Sequence, residues 1–152
     1  MTRSTPAQRP AGEDGAPLLR LLSLVTRQLS GELIDRLVAA GFTDQRFAHN
    51  AVFAHIPPEG IHLVDLAERA GMTKQAMSEL VVDLERLGYL RRRRDPGDGR
   101  AKLIELTDRG WDAVHTAVDA FATMDAELAR QIGATRLRQL RRTLLDIVDP
   151  SP

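Results

Sequence analysis

Residues 72–107, MTKQAMSELVVDLERLGYLRRRRDPGDGRAKLIELT, hold two different periodicities back to back, and few folds accommodate both. In the first half, Met77, Leu80, Val81, Leu84 and Leu87 recur at the three-and-four spacing that gathers apolar side chains on one face of a helix. Lys74, Gln75, Ser78 and Glu79 fall on the opposite face. The Thr73 hydroxyl can accept from a free N–H of the first turn, and Gly88 suits the left-handed position that follows a last turn. The spacing predicts a helix of about four turns over residues 74–87.

Tyr89 and Leu90 then lead into Arg91, Arg92, Arg93 and Arg94, the turn-forming run Asp95-Pro96-Gly97-Asp98-Gly99, and the arm from Arg100 to Leu106. Two short extended arms about such a tip predict a β-hairpin. Residues 86–102 carry seven positive charges against two negative, a surplus of five in a chain whose formal net charge is zero. A basic hairpin behind a helix with a polar face suits duplex DNA: phosphate neutralisation supplies affinity, and a helix in the major groove supplies selection. The plainer alternative is a solvated charged turn after a surface helix. The flanking elements weigh against it.

Upstream, residues 1–16 are rich in Pro, Gly and charge, so burial cannot offset the entropy of ordering them, and a disordered tail is expected. From Pro17 onward, Leu18, Leu22, Val25, Leu29, Leu33 and Leu37 recur every three or four positions, and Leu19, Leu21, Ile34 and Val38 widen the stripe. This predicts a long helix ending at Gly41. A stripe that wide touches its own domain and something else; a second subunit is the expectation, and wholly internal packing the alternative. Thr43 is the expected cap of a helix reaching His55, which Pro57, Pro58 and Gly60 stop. Ile61 and His62 suggest a minimal strand. Leu63, Leu66, Ala67 and Ala70 make a two-turn helix ended by Gly71, and so tight a turn before Thr73 makes a helix-turn-helix unit whose second helix does the reading.

Past the hairpin, Thr107 caps a helix bearing Trp111, Val114, Val118, Phe121, Met124 and Leu128, and Thr135 is the expected cap of a last one bearing Leu137, Leu140 and Leu144. A two-fold dimer built from residues 17–41 and 108–149 would bury these stripes. It would set two reading helices about one DNA turn apart, with residues 42–107 as the DNA-binding unit.

The absence of cysteine removes disulfides, zinc–thiolate sites, cysteine nucleophiles and thiol sensing together. No apolar run approaches the ~18 residues that span a bilayer, and the N-terminus lacks the apolar core of a signal peptide. A cytoplasmic protein without membrane association is expected. Neither a Gly-rich phosphate loop nor a nucleophile motif is present, so an enzyme is not expected, and no cofactor is implied. His49, His55, His62 and His115 show no helical metal spacing and there is no HExxH, so no metal is expected either.

Residues 66–78, LAERAGMTKQAMS, and 84–90, LERLGYL, followed by RRDPGDGR at 93–100 and LTDRG at 106–110, resemble the MarR (multiple antibiotic resistance regulator) family of bacterial winged-helix transcription regulators. The likeness extends in layout over residues 18–148. It implies a mainly α winged helix-turn-helix, with six helices plus a two-stranded β wing per subunit, in a homodimer on a pseudo-palindromic double-stranded DNA operator. Thr73, Gln75 and Ser78 match positions that meet the major groove, and Lys74 a helix-start position next to phosphate. Arg100 matches the wing-tip arginine that enters the minor groove, and Asp98 the carboxylate that pairs with it. Gln can pair bidentately with adenine, and an arginine favours the negative potential of a narrow minor groove.

Strand alternation cannot place four consecutive arginines on one face. Two, Arg92 and Arg94, are expected at phosphate together with Lys102, and two at solvent. Glu79 and Asp83 depart from the pattern by placing negative charge on or beside the reading helix. The family also implies a small ligand, an aromatic acid or a phenol, between the dimer helices and the winged unit; His49, Phe53, His55, Trp111 and His115 lie in the right regions. The expectation is a repressor relieved by such a ligand. The competing reading is a winged-helix scaffold for protein contacts.

Overall fold

A computed structural model describes residues 15–98 and 101–149. Among them, six α-helices, a 3-10 turn and a two-stranded sheet follow in the order α1 Leu18–Ala39, the turn Phe47–His49, α2 Asn50–Phe53, α3 Leu63–Arg69, α4 Lys74–Arg86, β1 Leu90–Arg94, β2 Lys102–Leu106, α5 Asp108–Ile132 and α6 Ala134–Val148. This is the mainly α winged helix-turn-helix that the family resemblance implies, with the helix and hairpin of residues 72–107 where their periodicities predict them.

The unit α3–turn–α4 is fixed by its turn and its cap. Gly71 has φ +62°, which a side chain rarely tolerates, and the Met72 N–H returns to the Ala67 carbonyl at 2.9 Å. The Thr73 hydroxyl then accepts from the Ala76 N–H at 3.2 Å and starts α4. Met77, Val81 and Leu84 are wholly buried. They pack in one core with Leu66, Tyr89 and Ile104.

Strands β1 and β2 pair antiparallel in the register Leu90↔Leu106, Arg92↔Ile104 and Arg94↔Lys102, with Arg91↔Glu105 and Arg93↔Leu103 on the other face. Ile61 exchanges both backbone bonds with Ile104, at 3.0 and 2.8 Å, so the short strand expected near residue 61 is a single added rung. The Thr107 hydroxyl donates to the Gly88 carbonyl at 2.6 Å and accepts from the Gly110 N–H at 3.1 Å, which caps α5 and seats it at the base of the wing. Farther along, Ala120 and Met124 of α5 meet Leu33 and Leu37 of α1 in a second, smaller core. Arg36 clamps that junction by reaching Glu32 and Glu127, each at 2.6 Å.

Two expected caps are absent. The helical segment after Gly41 begins at Phe47, without Thr43. Asp44 is drawn away to the Tyr89 hydroxyl at 2.5 Å and to Arg109 at 2.8 Å, and the chain turns before it can coil. At α6, Gly133 with φ +91° precedes the first helical residue and no side chain caps the helix. The Thr135 hydroxyl accepts from the Arg138 guanidinium instead, at 3.0 Å. No helix among the described residues is long and apolar enough to cross a membrane.

Candidate nucleic-acid interface

The exposed face of α4 carries Lys74, Gln75 and Glu79, with Ser78 half-buried beside them. Although the Thr73 hydroxyl is engaged as a cap, its own O–H is still able to donate. The Gln75 amide reaches Glu79 at 3.4 Å, so one acidic residue stays on the polar face, steered by its neighbour.

Asp83 does not stay there. Its carboxylate accepts from Arg86 at 2.7 Å, from His49 Nε2 at 3.0 Å and from the Arg46 guanidinium. Arg86, His49 and Arg46 together hold its pKa far below the usual carboxylate range. The charge that the sequence places beside the reading helix is thus compensated by cations and turned toward the 46–49 segment.

The four wing arginines divide two and two across the strand, and three of them meet carboxylates. Arg91 and Arg93 both bind Glu105, at 3.3 and 2.6 Å, and Arg92 binds Glu85 of α4 through Nε at 3.0 Å. Counting those two carboxylates, the local surplus of five falls to three. Arg94 and Lys102 differ. They sit directly opposite each other in the ladder, both exposed, and neither has a carboxylate partner among the described residues. Like charges facing each other across strands cost roughly 0.2–1 kcal/mol. An arriving anion would remove that cost.

The wing tip is tied down by Asp95. One of its carboxylate oxygens accepts from the Gly97 N–H at 2.8 Å, and the other meets His62 Nε2 at 2.9 Å, just ahead of α3. The Gly97 N–H, with His62 adding to it, keeps Asp95 ionised below the usual range. The Asp98 carbonyl accepts from the Ala101 N–H at 2.9 Å and the Asp98 side chain is exposed. Arg100 lies outside the described residues.

A second feature lies behind the reading helix. Between α1, the 46–54 segment and α5 is a cavity of about 200 Å³, lined by Leu33, Phe47, Phe53, Val114 and Phe121, with Arg46 the one charged residue in its wall among the described residues. Of the five residues expected at a ligand, only Phe53 lines it. His49 is wholly buried; its Nδ1 accepts from the Arg46 N–H at 3.2 Å, which leaves Nε2 to face Asp83. The His55 ring bonds the Ala51 carbonyl at 2.9 Å and borders a separate shallow depression with Arg69. Trp111 and His115 stack on each other 5.9 Å apart, away from the cavity wall.

Sequence reasoning missed Arg46, Phe47 and Phe121 as cavity residues and Asp95 as the tip anchor. The Asp-Pro-Gly run was a usable signal for Asp95, since Asp in that position caps its own turn.

A family model described as MarR family matches residues 52–101. The HTH-type transcriptional repressor Rv2887 of Mycobacterium tuberculosis is 30% identical over 131 residues, which is 86% of this chain and 93% of that one. Among solved structures, CouR from Rhodococcus jostii RHA1, bound to p-coumaroyl-CoA, is 30% identical with a TM-score of 0.60, covering 87% of this chain and 92% of CouR. The S. aureus MepR–DNA complex shares the fold at 22% identity, with a TM-score of 0.71 over 90% of this chain and 99% of that one.

Proposed function

The chain belongs to the MarR family of transcriptional regulators, and from that premise we propose that it is a dimeric repressor that reads a pseudo-palindromic operator and releases it when a small aromatic ligand fills the cavity behind α4. DNA binding and transcriptional regulation come with the family; the finer parts rest on this chain's own geometry.

The observation that carries the reading is the pair Arg94 and Lys102, exposed and directly opposite each other in the wing ladder, with no carboxylate partner among the described residues. On this reading Thr73, Gln75 and Ser78 meet the major groove, and Lys74 meets backbone phosphate at the start of α4. Arg94 and Lys102 grip phosphate farther along. Arg92 joins them by sharing its guanidinium between Glu85 and the backbone. Arg100, steered by Asp98, takes the minor groove.

Dimerisation is supported by apolar side chains left in water. Leu19 of α1 is 77% exposed and Val148 of α6 81%, and Val25, Leu145 and Ile147 are each more than half exposed. Apolar surface in runs of this kind marks an interface. A symmetric pairing buries it and duplicates the reading helix. A regulator of transcription works beside the chromosome, so its place is the cytoplasm.

The effector reading is supported by the cavity's size and lining. A void of about 150 Å³ lined by aliphatic and aromatic side chains accommodates a benzene ring, so the slightly larger one here has room for one ring with a small substituent. CouR is bound to p-coumaroyl-CoA, whose aromatic acyl group is the kind of body such a cavity admits. Arg46 in the wall favours a ring that carries a carboxylate or another strong acceptor.

The test is a fluorescence anisotropy titration with the duplex upstream of the gene and a scrambled duplex of equal length. Specific binding at physiological salt is expected to exceed scrambled binding by about 10³-fold or more; equal binding at that salt leaves the protein-scaffold reading in its place. In the same assay, Gln75→Ala is expected to relax base preference at one position per half-site by about 1–3 kcal/mol. A panel of substituted operators that shows the same preferences at every base contradicts that assignment.

A further inference from the structure

Asp83 carries more connections than a surface helix residue requires. It sits on α4, one turn before the C-terminal end, yet its side chain is only 19% exposed and two of its three donors come from a segment more than thirty residues upstream. Those donors, Arg46 and His49, belong to the same short turn that forms one wall of the cavity. The Arg46 backbone N–H donates to His49 Nδ1, so the ring has one tautomer open to it, with the proton on Nε2 and directed at Asp83. Arg46, meanwhile, contributes to the cavity wall and to the Asp83 pair at once.

We propose that Asp83 is a positioning residue for DNA recognition: bound to Arg46 and His49, it sets the angle at which α4 enters the groove, and through Arg46 it ties that angle to what occupies the cavity. The second half rests on the effector reading above. An anionic ring entering the cavity competes with Asp83 for the Arg46 guanidinium. Asp83 is then left with Arg86 on its own helix and His49, its tie to the 46–49 segment is weakened, and α4 shifts with it. The packing of Met77, Val81 and Leu84 keeps the helix folded throughout.

Simple electrostatics makes the opposite forecast, which renders the idea testable. Removing a negative charge next to a polyanion ought to tighten binding. If Asp83 positions α4, Asp83→Asn instead lowers the ratio of specific to scrambled affinity about tenfold, while scrambled binding, which needs no set angle, holds or tightens. Arg46→Gln should reproduce the loss, and the double variant should be no worse than either alone, because both break one linkage. Benzoate, a one-ring anion, serves as the probe for the second half. Isothermal calorimetry measures whether it binds, and anisotropy whether it raises the operator Kd of the wild-type dimer but not of Asp83→Asn.

A specificity ratio unchanged or increased in Asp83→Asn overturns the positioning role. Additive losses in the double variant overturn the route through Arg46. Bound benzoate that weakens operator binding equally in both proteins overturns the link to the cavity. If benzoate does not bind, the effector reading falls and takes the cavity half with it, while the specificity ratio still judges the helix half. Should the wild type fail to distinguish the two duplexes, the DNA reading itself has failed, a result separate from all of these.

Discussion

Alanine at position 110 is expected to lower the stability of the fold by about 3 kcal/mol, the upper end of what overpacking usually costs. Gly110 sits in the first turn of α5, buried, where an added Cβ would lie 2.3 Å from the Tyr89 carbonyl oxygen and 2.9 Å from Leu106 Cδ2. The Leu106 methyl can rotate aside, but the carbonyl cannot. It is held by the Thr107 N–H at 3.0 Å, and Tyr89 itself is wholly buried between α4 and β1. Relief therefore requires α5 to move off the base of the wing, giving up the Thr107 cap. For a domain of this size such a loss corresponds to a fall in Tm of roughly 10 °C. Thermal unfolding followed by circular dichroism, at one fixed protein concentration because a dimer's Tm depends on it, checks this. A shift within one degree contradicts the packing described.

Glutamate at position 78 is expected to reduce operator affinity by about 100-fold or more while leaving Tm within a degree or two. Ser78 lies half-buried on the polar side of α4, one turn from Lys74 and Gln75. On the proposed reading a carboxylate there is carried into the groove between two phosphate backbones, and placing like charges together across an interface costs several kcal/mol. The helix itself should tolerate the change, since Glu forms helices at least as readily as Ser. Electrophoretic mobility shift with the upstream duplex reads the affinity. Retained binding would mean that another face of the molecule meets DNA. A Tm that falls in parallel would mean that Ser78 is part of the core rather than of the reading surface.

The elements most legible in the sequence are those whose causes are local. Thr73, the apolar spacing of Met77, Val81 and Leu84, and Gly88 all act within one helix, and α4 runs over Lys74–Arg86, one residue short of the expected end. The wing was equally readable, because alternation and a Pro/Gly/Asp tip lie within seventeen residues of each other. What could not be read is long-range. Asp44 leaves its expected helix start for Tyr89 and Arg109, 45 and 65 residues away. Asp83, a negative charge that the sequence sets on or beside the reading helix, draws two of its three donors from 34 and 37 positions upstream.

The arginine run illustrates both sides. Alternation correctly separates Arg91 and Arg93 from Arg92 and Arg94, but nothing local indicates that Glu85 and Glu105 engage three of the four. His49 is the sharpest divergence between pattern and placement. By pattern a histidine near an apolar face qualifies as a ligand contact, whereas the fold buries it completely as the bridge between Arg46 and Asp83. The cavity drew its aromatic wall from Phe47 and Phe121, which lie on separate elements and share no pattern in the sequence.

The most direct test of the whole account is hydroxyl-radical footprinting of the upstream duplex, with the mass of the complex measured by sedimentation. Two subunits per duplex are predicted, protecting two symmetric tracts centred about 10 base pairs apart, the spacing of successive major grooves on one side of the helix. A single subunit on the duplex, or one unbroken or asymmetric tract of protection, would contradict it.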